Sequence, residues 1–309
     1  MCRPLRYIPP GHLVEVSNRT FQGRYLLRPT RELRLRILGA LGRSQSRFLM
    51  PIYAFTFASN HFHLLLAPRD AKHLAEFMGY FEAKLAGEVQ RLHDWEGPLW
   101  AGRYHSIPVE ADERTQLQRL AYLLSHGVKE GLVAHAKDWP GANCVLALSE
   151  GEPIRGRWYD RTALYRATRW GRRADPEEFS EQEEVILSAL PCWAHLPSSE
   201  IRQRVRSLIA TIESDARARH RARGTKPGGR WAIFAHRPSD RPKNLKHSPR
   251  PWFHARSAEG RRDMREAYRL FVKAFRGAAS DLARGCPQPS FPEGSFPPGL
   301  PFVPHQAPG

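Results

Sequence analysis

Several protein classes are excluded by what this chain lacks. Its four cysteines, Cys2, Cys144, Cys192 and Cys286, lie far apart in 309 residues. That spacing argues against a disulfide framework and against a zinc finger, both of which need clustered or regularly repeated cysteines. No run of about 18 apolar residues occurs, so no transmembrane helix and no membrane partner is expected. The opening MCRPLRYIPPGHL holds no continuous apolar stretch, so no ordinary secretory signal is expected and the expected compartment is the cytoplasm. Acidic residues are scarce, 31 Asp+Glu against 48 Lys+Arg. Glu82, Glu88, Glu110 and Glu113 show no paired spacing of the kind a two-metal nuclease requires. There is no internal repeat.

What is present is positive charge and enough apolar residue for a core. The net charge is +17, with 41% hydrophobic and 10% aromatic residues. At roughly 100–200 residues per domain the chain allows one large domain or two ordinary ones. Excess positive charge favours polyanions, nucleic acid before an acidic membrane surface. The charge is uneven. Residues 1–150 carry 19 basic and 14 acidic residues, residues 151–309 carry 29 and 17, and residues 201–250 alone hold 14 and 3. This basic run includes RARHRARGTKPGGR and RPKNLKHSPRP, and the acidic stretch DPEEFSEQEE precedes it at 175–184. Two compatible readings exist for residues 217–250: a solvated flexible linker, or an arm that contacts phosphates and gains affinity by counterion release.

The first half alternates between two periodicities. Residues 12–20 alternate like a strand. Residues 30–47 place Leu33, Ile37, Leu38 and Leu41 at helical spacing behind a Thr30 cap. Residues 50–58 and 61–67 are two β-rich runs separated by Ser59-Asn60, which predicts a hairpin. A second amphipathic helix is predicted over 71–93, a strand over 99–109 after Gly97-Pro98, and a third helix from about Asp112 to His126, closed by Gly127. The order β-α-β-β-α-β predicts an α+β fold of ferredoxin-like type, an antiparallel sheet with helices on one face. Beyond Trp139-Pro140 the pattern weakens. Helices are predicted at Ser198–Arg223 and Ala258–Ala283, before a Pro-rich tail. The expected organisation is a catalytic domain at 1–149 and a mainly helical, basic accessory region at 150–309.

Two short patterns carry chemistry. In Asn60-His61-Phe62-His63, residues two apart on a strand face the same side, so His61 and His63 project together. Two imidazoles so placed can share a divalent metal at about 2.0–2.1 Å per bond, although a bare pair of this kind is more often two half-exposed side chains. In Tyr122-Leu123-Leu124-Ser125-His126, four residues turn a helix by about 400° and rise about 6 Å. Tyr122 and His126 therefore share a face, one turn apart. A tyrosine becomes an effective nucleophile when its phenol is deprotonated or its target is polarised, which a nearby metal can do.

Together the motifs resemble a known family. FASNHFHLLL is similar to the HUH motif of single-tyrosine transposases, and RLAYLLSHGVKEGLVAHAKDWPGAN is similar to the tyrosine helix and following turn of their REP-associated branch. The segment 127–133 and the triplet Asp138-Trp139-Pro140 stand where that branch has its own characteristic turn, and the resemblance covers roughly residues 6–145. It implies His61 and His63 as ligands of a divalent ion, magnesium or manganese, and Tyr122 as the nucleophile. The implied reaction is cleavage and rejoining of single-stranded or hairpin DNA through a 5′-phosphotyrosine intermediate, the chemistry of DNA transposition. The family commonly has an amide side chain four residues after the tyrosine and a proline next; here they are His126 and Gly127. Imidazole is a good ligand, so His126 is expected to join the metal site and to favour manganese or softer ions.

Other residues are weaker candidates. Arg19, Arg24, Arg28, Arg103 and Lys129 are candidate DNA contacts, with His105 a further possible phosphate contact. Tyr104 is an alternative nucleophile or a base-stacking aromatic, and Trp95, Trp100 and Trp139 are core residues with some capacity for stacking. The competing functional reading is a domesticated, non-catalytic nucleic-acid-binding protein on the same scaffold. A relaxase or replication initiator fits the spacing after the histidines less well. A monomer and a homodimer are both compatible with the sequence.

Overall fold

The computed structural model describes residues 5–171, 173–242, 251–286 and 288–296. Residues 243–250 of the basic run, the tail from 297 onward and Cys2 lie outside the described residues.

A four-stranded antiparallel sheet organises the first half. Its strands are β1 (Leu13–Arg19), β2 (Ile52–Phe57), β3 (His61–Leu66) and β4 (His105–Val109), in the order β2-β3-β1-β4. Helices α1 (Arg31–Phe48) and α2 (Ala71–His93) connect them, and α3 (Glu113–Leu124) follows. The fold is the expected α+β arrangement. Each helix begins on a side-chain cap: Thr30 accepts from the Leu33 N–H, Asp70 from the His73 N–H and Asp112 from the Thr115 N–H, each satisfying one orphan donor of a first turn. The apolar stripe of α1 (Leu33, Ile37, Leu38, Leu41) and that of α2 (Leu74, Phe77, Phe81, Leu85) are fully buried. Phe62 on β3 packs against Phe57 at 5.3 Å and Phe81 at 5.9 Å between ring centroids. Burial of each such side chain contributes about 1.5–3 kcal/mol.

Alternation on β3 thus turns Phe62 and Leu64 toward α1 and α2. His61 and His63 face the other way, and α3 lies on that opposite face. The sheet is therefore covered on both sides where the histidines lie, rather than by helices on one face as the element order predicts, because α3 packs over β2 and β3. The fourth strand starts at residue 105 rather than 99. Trp100 makes only an isolated bridge to Thr20, and the Asn18 side-chain amide donates to the Gly102 carbonyl where a strand would continue. Helix α3 stops at Leu124, two residues before the expected end. Gly127, at φ 85°, then reverses the chain against the buried Trp139 ring, where a Cβ would come within 3.0 Å.

The second half holds structure that the sequence pattern did not disclose. A hairpin of β5 (Ile154–Tyr159) and β6 (Ser180–Val185) packs on α1, and α4 (Val145–Glu150) and α5 (Arg161–Thr168) flank β5 along the chain. The acidic stretch at 175–184 is a short 3-10 turn (Pro176–Phe179) followed by strand β6, with Arg43 bridging Glu181 and Glu183. The predicted long helices are present as α6 (Ser198–Arg223) and, after the short α7 (Gly229–Phe234), α8 (Ala258–Ala283). The first part of the basic run is thus the end of a helix, closed by Gly224 at φ 62°. Residues 251–257 return to the first sheet: the His254 N–H donates to the Pro108 carbonyl at 2.8 Å, and the Glu110 N–H to the His254 carbonyl at 2.9 Å.

Candidate active site

Strand β3 and the end of α3 bring His61, His63, Tyr122 and His126 into one cluster. The imidazole centroids lie 5.3 Å (His61–His63), 5.5 Å (His61–His126) and 4.9 Å (His63–His126) apart. One ring nitrogen from each histidine lies within 4.8 Å of the others. The Tyr122 ring meets His63 edge-on at 5.2 Å and His126 at 5.0 Å.

The second nitrogen of every ring is tied down. His61 Nδ1 is 2.8 Å from Asn60 Oδ1, His63 Nδ1 is 2.9 Å from Glu15 Oε1, and His126 Nδ1 is 3.0 Å from the Tyr122 carbonyl. The Asn60 amide nitrogen donates to the Gly23 carbonyl at 3.0 Å, which turns its oxygen toward His61. All three partners are acceptors, so each Nδ1 donates and Nε2 is the nitrogen left to face the cluster. Metal-ligating histidines are held in this way by an outer shell of acceptors. Burial, followed by the charges of neighbouring His63, Arg19 and Lys129, pushes the His61 imidazole down to about 3. His126 is held well below its ordinary value, by burial first and then by His63 and Lys129. Both rings are therefore neutral at physiological pH. Three imidazoles fit a divalent cation with some affinity for nitrogen, manganese more readily than magnesium.

Charge around the tyrosine is positive. Arg119 lies 4.3 Å from the Tyr122 ring centroid and the Lys129 ammonium 3.4 Å from it. Lys129 Nζ is also 3.3 Å from His126 Nε2. Burial raises the Tyr122 phenol above its ordinary value and lowers Lys129 to about 8.

The buried carboxylate of Glu15 sits behind the cluster. Burial alone would raise its pKa; His254, His63 and Arg119 overcome this and hold it well below the carboxylate range. Arg119 Nε donates to Glu15 Oε2 at 2.6 Å, and His254 Nε2 lies 3.2 Å from the same oxygen. Glu15, Arg119, His254 and the orienting role of Asn60 were not identified in the sequence. One signal was there: Glu15 is the single charged residue amid the apolar start of β1, LVEV.

The remaining sequence candidates separate into groups. Arg19 pairs in register with His61 across β1 and β3, so the two side chains share a face. Arg24 donates to the Ser239 carbonyl and Arg28 to the His236 carbonyl, so both hold residues 236–239 against the body. Arg103 is exposed beside β4. Tyr104 is buried, with Arg6 stacked on its ring and donating to its hydroxyl, and burial pushes its phenol up to about 12. His105 pairs in register with Ser17. Trp139 is buried and donates to the Phe57 carbonyl at 2.9 Å, Trp100 packs on Phe62, and Trp95 is half-buried. No helix among the described residues is long and apolar enough to cross a membrane.

No family model matches this chain, and no curated protein matches it. Among solved structures, a REP-associated tyrosine transposase bound to a REP hairpin is similar at 17% identity, over 50% of this chain and 90% of that one, with a TM-score of 0.39. A candidate transposase from Deinococcus radiodurans R1 is similar at 17% identity, over 40% of this chain and 96% of that one, with a TM-score of 0.27.

Proposed function

We propose that this protein cuts and rejoins single-stranded or hairpin DNA, with Tyr122 as nucleophile, as a transposase does. The observation that carries the reading is the cluster itself. Three imidazoles present one nitrogen each within 4.8 Å, each ring is fixed through its other nitrogen, and a tyrosine packs on two of them.

His61, His63 and His126 would hold a divalent cation. Such an ion supplies a Lewis acid that polarises the scissile phosphodiester and offsets developing negative charge. The Tyr122 oxygen forms a bond to phosphorus as the phosphorus bond to the 3′ oxygen breaks. The phenol proton passes to solvent, and the departing oxygen takes a proton from solvent to become a free 3′-hydroxyl. The 5′-phosphate remains esterified to Tyr122, so the bond energy is kept and another 3′-hydroxyl can reverse the step without ATP. Arg119 and Lys129, both on the Tyr122 ring, stabilise negative charge on the phenol oxygen and on the phosphate oxygens as the bond forms. The net charge of +17 draws the substrate in and makes binding salt-dependent.

The reading is tested by incubating the full chain with labelled single-stranded oligonucleotides carrying hairpins from the flanks of its own gene. Cleavage in manganese or magnesium and none in EDTA is the expected result. Salt-sensitive binding without cleavage of any flanking sequence would favour the non-catalytic reading.

A further inference from the structure

Beside the histidine cluster lies a cavity that the proposed reaction does not use. It is bounded by β1, the start of β4 and the segment 251–268, and its volume is about 570 Å³. That lies within the range of roughly 300–1,000 Å³ typical of small-ligand sites.

Its walls are chemically unlike one another. One wall is aromatic: Trp252 and Tyr268 meet edge to face at 4.9 Å, and both line the space. Trp252 is 62% exposed, so much of its ring stays open to a ligand beside Tyr268. The other wall is cationic, with Arg6, Arg19 and Arg103, and among the described residues no aspartate or glutamate lines the cavity. Arg6 Nη2 is buried and makes no hydrogen bond to any described residue. A buried guanidinium nitrogen with no acceptor is costly unless something supplies one. A flat ring for the aromatic wall and an anion for the arginines are the two halves of a nucleotide. Arg19 also shares a strand-pair position with His61, so the cavity adjoins the cluster along the same sheet.

We propose that this cavity seats one unpaired nucleotide of a DNA strand, its base against Trp252 and its phosphate on Arg6, Arg19 and Arg103. The site rests on the reading of the protein as a single-strand DNA enzyme, and it assigns a task to the segment 251–268. Anchored to β4 through His254, that segment supplies the aromatic wall.

The test measures binding apart from cleavage. Fluorescence anisotropy of the full chain is read with a short oligothymidylate strand and with a matching strand of abasic residues, in EDTA. Base stacking on an aromatic residue is worth ~1–3 kcal/mol, so Trp252→Ala is expected to weaken oligothymidylate binding about tenfold. Affinity for the abasic strand should stay unchanged. Arg103→Ala should weaken both strands. Trp252 and Arg103 are exposed, so neither change empties the core, and circular dichroism checks the fold. If Trp252→Ala leaves the ratio of the two affinities unaltered, the seat does not exist. Free thymidine monophosphate distinguishes the source of the ligand. Trp252-dependent binding of the free nucleotide with no Trp252-dependence for the strand would overturn the DNA assignment. Loss of strand cleavage with this binding intact would sink the catalytic reading alone.

Discussion

Glu15 Oε1 accepts a hydrogen bond from His63 Nδ1 at 2.9 Å, while the other oxygen of the same carboxylate takes Arg119 at 2.6 Å. One buried acid on β1 therefore orients a candidate ligand on β3 and a cation on the helix that carries Tyr122. His254, 3.2 Å from that second oxygen, adds the segment 251–257 to the same point. A partner of this kind fixes ring orientation and raises the basicity of the free nitrogen.

Glu15→Gln keeps the size of the side chain and removes its charge. Manganese affinity, read by titration calorimetry, is expected to fall about 10–100-fold, the usual loss for an outer-shell partner. Glu15→Ala goes further, because Arg119 and His254 lose their buried acid. Breaking a buried ion pair costs about 3–5 kcal/mol, which a lowered urea midpoint would show. Unchanged manganese affinity in a folded Glu15→Gln would remove its positioning role.

Stability should be lost on the acid side. An unfolded histidine takes up a proton near pH 6.5, whereas folded His61 does so only at about 3. In that interval the unfolded chain binds a proton that the folded chain refuses. His61 therefore stabilises the fold fully above pH 6.5, and its contribution declines as the pH falls, by about 1.4 kcal/mol per pH unit. His126 acts in the same direction, and Glu15, held low when folded, extends the loss below about pH 4.5. Urea midpoints in EDTA between pH 7 and pH 5 should drop steeply in the wild type and less in His61→Gln. Equal slopes would contradict the burial of a neutral ring.

The docking of the β5–β6 hairpin depends on two glycines. A Cβ on Gly156 would come within 2.0 Å of the Gly39 nitrogen, and one on Gly39 within 2.0 Å of the Arg157 carbonyl. Gly156→Ala should lift the hairpin from α1 and cost about 1–3 kcal/mol, as overpacking does. Manganese affinity should not change, because His61, His63 and His126 lie on the other face of the sheet. A fall in stability with intact metal binding is the expected pair of results; undiminished stability would contradict the close approach.

This hairpin also shows where the sequence stopped being legible. The first sheet announces itself through period-two apolar runs, and helices α1, α2 and α3 through caps and apolar stripes. Strand β6 reads SEQEEV and offers one apolar residue, Val185, as a signal. Its charged partners are Arg43 on α1, which bridges Glu181 and Glu183, and Arg155 on β5, opposite Glu184 in register, and charge complementarity between separate segments leaves no local periodicity. That His61 and His63 share a face, and Tyr122 and His126 another, could be read from spacing, since strand and helix geometry determine it; their roles came only from the resemblance to a known family. Glu15, Arg119 and His254 could not, because they meet only after β1, α3 and the 251–257 segment have packed. Arg24 and Arg28 show a second limit: the sequence marks them as candidate DNA contacts, and their bonds to carbonyls of residues 236–239 appear only once the chain has folded.

The central claim is that Tyr122 attacks DNA. The direct measurement is a denaturing gel of the full chain incubated with end-labelled hairpin-bearing single strands and manganese, beside Tyr122→Phe. The wild type should give a covalent protein–DNA band that EDTA abolishes. Tyr122→Phe should give none while binding the same strand with nearly unchanged affinity, since only a hydroxyl is removed. A covalent band that persists in Tyr122→Phe would contradict the account and transfer the role to another tyrosine, Tyr104 first.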